Sequence, residues 1–198
     1  MPDITEGKIK LAFPPTWQVM KYDECSWHKQ HKAGHGAHAM DVLAVGDDQT
    51  HWWIEIKDCE GFETDNRPRL SDASSPSLEK TRAWLVAENI DHEVRALRKK
   101  PFIIEEMLLK VRDTLAALSI AHRQAEAALL PWNLFASPAP RWTVVLLLTW
   151  DVKDFKLIAK RIQTKLNTAF KGYGINVYVV NQATLPDCGL PCTLSRLQ

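Results

Sequence analysis

Long apolar runs are missing from this chain of 198 residues, whose longest, Val144–Leu148, is far too short to cross a bilayer. Cysteine is scarce: four residues, Cys25, Cys59, Cys188 and Cys192, stand at uneven spacings. That count excludes a disulfide scaffold and predicts free thiols in a reducing compartment. Net charge is also lacking, since 25 Lys+Arg against 24 Asp+Glu give +1. A protein that coats nucleic acid by bulk charge is thereby excluded, although a local basic groove is not. Met1–Lys10 is mixed polar and has no apolar middle of a signal peptide, so the expected location is cytoplasmic, with no membrane partner. What is present is ordinary for a globular protein, with 45% apolar and 25% charged residues. The length suits a single domain over 1–198. Eight tryptophans are the unusual count, suited to an αβ core or a stacking surface.

Periodicity orders the elements. Trp17–Lys21, His38–Gly46 and His51–Cys59 read as three strands of an antiparallel meander, with a turn at Gly46–Gln49. Glu60–Pro76 is a long polar stretch, either functional or mobile. Ser77 is expected to cap a helix from Leu78 to about Asn89, and a weaker helical stretch follows over Asp91–Lys99. The region at about 60–100 thus reads as a loop and helical insertion. Pro101 opens a strong helix to about Leu129, with Ile104, Leu108, Val111, Leu115 and Leu118 as its apolar stripe. After a proline-rich break at Pro131–Pro140 comes a doubly covered strand, Arg141–Trp150. An amphipathic helix capped by Asp151 or Asp154 runs to about Phe170, and Ile175–Val180 is the last strand before a loop-like tail. The order predicts an α/β fold: a three-strand antiparallel meander, then helix, strand, helix, strand, in a mixed central sheet flanked by helices.

The third strand contains Glu55-Ile56-Lys57. Alternate side chains of a strand share a face, so Glu55 and Lys57 point one way and Ile54 and Ile56 the other, into the core. A carboxylate and an amine in a buried strand are costly unless paired or bound to metal. Asp41, near the start of the second strand, is brought alongside Glu55 by the meander. Asp41, Glu55 and the main-chain carbonyl of Ile56 make an oxygen-only set suited to Mg²⁺ or Mn²⁺. Lys57 beside them can orient a water and stabilise charge on a phosphate.

This arrangement resembles the PD-(D/E)XK nuclease superfamily, the restriction-endonuclease-like fold. The resemblance spans roughly 17–180 and includes Lys21-Tyr22-Asp23, Met40-Asp41, Trp53–Asp58 and Lys110–Leu115. Met40 stands where the motif has proline. The resemblance implies Asp41 and Glu55 as metal ligands and Lys57 as the catalytic lysine. It also implies an extra acidic residue, to which Glu24 or Asp23 corresponds loosely, and a helix beside the site from which Lys110 faces the substrate. The same triplet pattern recurs in Glu6-Gly7-Lys8, in a terminal segment without a strand pattern.

Other groups carry alternative readings. Cys25, His28, His31, His35 and His38 can form a Zn²⁺ site, or a loop whose Lys29 and Lys32 brush a phosphate backbone, or a plain surface loop. Cys188 and Cys192 are read as two thiols of the tail. Lys110 and Asp113 can form a helix-surface pair instead of facing substrate. Arg98-Lys99-Lys100 is a solvated helix end or a phosphate contact. Trp53 shares the Glu55 face and can stack on a base.

The expected function is divalent-metal-dependent hydrolysis of DNA phosphodiester bonds by a nuclease-like protein. The alternative is an inactive fold member serving as a binding or regulatory subunit, and a homodimer or an operon-encoded partner fits either. Local charge agrees: Glu55–Asp65 carries a net −4, whereas Arg95–Arg112 and Asp151–Lys171 each carry +4.

Overall fold

The computed structural model describes residues 1–31, 36–98, 100–134, 141–150 and 152–197. Lys32, His35, Lys99 and the cap position Asp151 lie outside the described residues, as does most of the proline-rich break. The protein is an α/β fold with two sheets. The larger has five strands: β3 (Gln18–Lys21), β4 (Val42–Val45), β5 (His51–Lys57), β6 (Trp142–Leu148) and β7 (Ile175–Val180), hydrogen-bonded in that order. β3, β4 and β5 are antiparallel, and β5, β6 and β7 are parallel, as the meander and the two crossovers predict.

Helix α4 (Ile103–Arg123) links β5 to β6, and α5 (Val152–Ala169) links β6 to β7. Both cover one face of the sheet. Met107 and Val111 of α4 and Ile162 and Leu166 of α5 share a core with Trp53, Leu146 and Val179. The buried stripe of α4 runs through Ile103, Met107, Val111, Thr114 and Leu118, so it is rotated slightly from the expected one and leaves Leu108 and Leu115 half-buried. Every residue of β6 is buried, which explains its unbroken apolar sequence.

The opposite face carries Val42, Ile54, Ile56, Val145 and Leu147. A second, three-stranded antiparallel sheet covers it, in the order β1 (Asp3–Glu6), β2 (Ile9–Ala12), β8 (Thr193–Arg196). Ile9, Leu11 and Phe13 point into this core. These strands correct the expectation of a patternless start and a loop-like tail. Gly7 turns the β1–β2 corner at φ +56°, a conformation side chains with a Cβ resist. β2 then pairs with β8 from the far end of the chain, Leu11 opposite Leu194.

The insertion also differs from expectation. Glu60–Pro76 contains a short helix, α2 (Glu63–Asn66), and a 3₁₀ turn, Arg67–Leu70, whose Leu70 is buried. Helix α3 (Pro76–Ala87) is capped by Ser75, whose hydroxyl accepts from the Leu78 amide at 3.2 Å, and not by Ser77. Pro76 at the first helical position explains the shift. Residues 91–98 form a turn and irregular chain instead of a helix. α4 ends at Arg123, and a 3₁₀ segment, Ala127–Trp132, replaces its expected last turns. A short helix, α1 (Ser26–His31), follows β3. Among the described residues, no helix is long and apolar enough to cross a membrane.

Candidate functional site

β5 lies between β4 and β6, so its middle residues are shielded on both edges. Glu55 is fully buried, at 0% exposure, on the face beneath α4. Lys57, two residues on, shares that face, and its Nζ lies 2.5 Å from Glu55 Oε1. Ile54 and Ile56 enter the opposite core, as the period of two requires.

Asp41 immediately precedes β4. Its Oδ2 accepts from the Ile56 amide at 2.7 Å, which locks the aspartate onto β5. Ile56 therefore contributes an N–H donor to the site. The neighbouring backbone is fixed too: the Tyr22 amide donates to the Asp41 carbonyl at 2.9 Å, and the Met40 amide to Thr114 Oγ1 of α4 at 3.0 Å.

α4 supplies the rest. Lys110 Nζ lies 2.9 Å from Asp41 Oδ1, and 2.6 and 2.7 Å from Glu55 Oε1 and Oε2. Both carboxylates thus meet one cationic nitrogen. The alternative Lys110–Asp113 surface pair is not formed: Asp113 accepts instead from the His38 amide and faces His38 Nδ1 at 3.1 Å. One turn before Lys110, Glu106 Oε1 lies 2.8 Å from Lys57 Nζ, while its Oε2 pairs with Arg69 from the 3₁₀ turn of the insertion. Asp41, Glu55 and Glu106 are balanced by Lys57, Lys110 and Arg69 in one continuous, largely buried chain of ion pairs.

Glu106 and Arg69 did not stand out in the sequence. Glu106 could have: it lies four residues before Lys110, on the same helix face, beside the core residue Met107. Arg69 could not, because its placement depends on the conformation of the insertion.

Burial governs the acid–base properties. It pushes Glu55 up to about 7, aided by the charge of Asp41 and opposed by Lys57 and Lys110. Burial also penalises the Lys57 and Lys110 ammonium groups, but their carboxylate partners overcome it and hold both above the usual lysine value. Lys57 and Arg69 likewise overcome burial at Glu106 and hold it below the ordinary carboxylate value.

Of the two acids considered as an addition, Glu24 is largely exposed and pairs with Lys21 at 2.7 Å. Asp23 faces inward: burial, then the charge of Asp41, raises its pKa, and its Oδ1 is buried without a hydrogen-bond partner. Lys29 is exposed on α1 and does not join the network. Lys32 lies outside the described residues. Trp53 is 0% exposed and packs edge-on against Trp142 with ring centroids 4.5 Å apart, so it cannot stack on a base. In the histidine-rich segment, His31 stacks on Trp27 with its Nδ1 2.7 Å from the Trp27 carbonyl oxygen, and the His28 ring lies against Tyr22. Among the described residues, no three His, Cys, Asp or Glu side chains converge to hold a metal ion. No protein-family model, curated protein or solved structure matches the chain, so the chemistry must be read from the geometry of the site itself.

Proposed function

We propose that the protein is a divalent-metal-dependent phosphodiesterase acting on DNA, with a restriction-endonuclease-like core and a PD-(D/E)XK site. One observation carries the reading: Asp41 and Glu55 converge on a single cationic nitrogen, with Lys57 alongside on the same strand face. The strand order supports it, since Asp41 precedes the second strand of the meander and Glu55-x-Lys57 ends the third.

The donor set fits a hard cation. Two carboxylates already share one positive charge, and hard oxygen donors are what Mg²⁺ and Mn²⁺ take. Asp41 and Glu55 would hold the ion where Lys110 places its ammonium, with the Ile56 carbonyl as a further donor, and Lys110 would move aside on its flexible stem. When bound, the ion supplies Lewis-acid stabilisation of charge on the phosphate. The chain's own groups do the rest. Lys57, steadied by Glu55 and Glu106, donates to the attacking water and to a phosphate oxygen. The Ile56 amide keeps Asp41 from turning away. Lys110, released from the carboxylates, can neutralise a second phosphate oxygen.

The test is cleavage of labelled DNA with Mg²⁺ or Mn²⁺ by the wild type and by Lys57→Ala. Loss of cleavage in the variant is expected; equal cleavage by both, or none by either across single- and double-stranded substrates, overturns the proposal. The charge balance of the network favours one other reading, an inactive binding or regulatory subunit whose buried ions satisfy each other without metal. Divalent-metal binding that Asp41→Asn abolishes separates the two.

A further inference from the structure

The insertion between β5 and α4 forms an open trough with a volume of about 720 Å³, within the size range of small-ligand sites. Arginine forks fix its walls. Arg98 donates to the carbonyls of Ser71, at 2.6 Å, and Asp72, while Arg82 donates to the Ser74 hydroxyl at 3.0 Å and the Ala96 carbonyl at 3.4 Å. These bonds tie residues 96–98 to 71–74, so the walls are held by the protein itself.

The lining has two characters. Leu78 and Leu97 give it an apolar side, and Leu97 is 78% exposed. Arg69, Arg98 and Lys100 give it a cationic side, against which Asp65 is the one carboxylate among the described lining residues. Arg98 is committed to backbone carbonyls, and Arg69 to Glu106 and, at 3.5 Å, to Asn66 Oδ1, which leaves Lys100 to meet a ligand. Lys100 is exposed and, among the described residues, donates to Asn66 Oδ1 at 3.3 Å. Arg69 has a buried Nε with no hydrogen-bond partner. It also joins the cavity to the site, because it pairs with Glu106, which holds Lys57.

We propose that this cavity is a subsite for a single nucleic-acid strand. One backbone phosphate sits against Lys100, and the adjoining base lies on Leu97. This rests on the phosphodiesterase reading, and the Arg69–Glu106–Lys57 chain of ion pairs links the trough to that site. Apolar surface next to cations is the pairing that unstacked bases and backbone phosphates need. A strand is favoured over a free nucleotide because Leu97, Ser77 and Lys100 are all exposed, so the trough is open to solvent and chain can pass through it.

The test is binding of a fluorescein-labelled single-stranded oligodeoxynucleotide to the full chain in EDTA, where metal-dependent cleavage cannot occur. The wild type binds, and Lys100→Glu binds about tenfold more weakly with a salt dependence shallower by about one ion. Lys8→Glu, on the β1–β2 turn and remote in sequence from the cavity, binds as the wild type does. No binding by the wild type, or equal weakening by Lys8→Glu and Lys100→Glu, overturns the subsite. Thymidine monophosphate binding as tightly as the strand, or duplex DNA binding more tightly than it, overturns the single-strand assignment. Because the readout needs neither metal nor cleavage, failure here leaves the reading of Lys57 to its own assay, and failure there leaves this result standing.

Discussion

Glu6-Gly7-Lys8 turns the corner of the β1–β2 hairpin, and Glu55-Ile56-Lys57 ends the central strand β5. In the first, Gly7 at φ +56° breaks the alternation. Glu6 reaches Lys21 at 2.8 Å at the surface, and Lys8 stands in solvent. In the second, the extended backbone keeps both charges on one side, and burial compels each to recruit a distant partner. The same residue types have different chemistry because one stretch bends and the other is shielded on both edges.

Glu55→Ala is the sharpest way to break the contrast. It strips the shared carboxylate from Lys57 and Lys110, and should cost about 3–5 kcal/mol in urea unfolding. The matching Glu6→Ala should cost under about 1 kcal/mol. Comparable small losses for both would mean that the buried network is not formed in solution. Lys110→Met comes next: it leaves Asp41 and Glu55 facing each other, and should cost about 3 kcal/mol. On the proposed metal site, Mg²⁺ should then raise the melting temperature of this variant more than that of the wild type, since the ion would take the ammonium's place.

The third contrast is in pH dependence. With Glu55 raised from 4.5 to about 7 in the folded protein, the native state binds the extra proton. Stability conferred by this group is therefore full below the unfolded value and falls as pH rises toward the folded one. Urea midpoints should show that decline over this interval, and Glu55→Gln should flatten it. The smallest effect is at the turn. Gly7→Ala forces a Cβ into left-handed backbone and should cost about 1 kcal/mol, all of it conformational, since a Cβ there would meet nothing within 4 Å. A larger loss would show that the turn is packed as well as bent.

The central sheet was readable because its signals are local. Period-two alternation placed Glu55 with Lys57, the apolar run of β6 announced a covered strand, and the stripe of α4 announced its buried side. The meander then brought Asp41 beside Glu55. Lys110 was legible as one of two alternatives, and only the direction in which α4 crosses the sheet decides between them. Glu106 escaped notice because its burial depends on Lys57 and Arg69, which are far from it in sequence. The four-residue strands β1, β2 and β8 carry too few apolar positions to signal themselves. Ser75 and Ser77 offer the same hydroxyl, and only the proline between them selects the cap.

The pairing of β2 with β8 has a consequence for the order of events during synthesis. Ile9 must wait for Arg196, so the small sheet cannot close until almost the whole of this chain has left the ribosome. Arg196 also grips Asp58 with both nitrogens of its fork, at 2.9 and 3.2 Å, directly after Lys57. The residue that follows the candidate site's strand is thus held by a segment made long after it. A nascent chain can assemble the meander early, but Asp58 lacks its Arg196 partner until β8 docks.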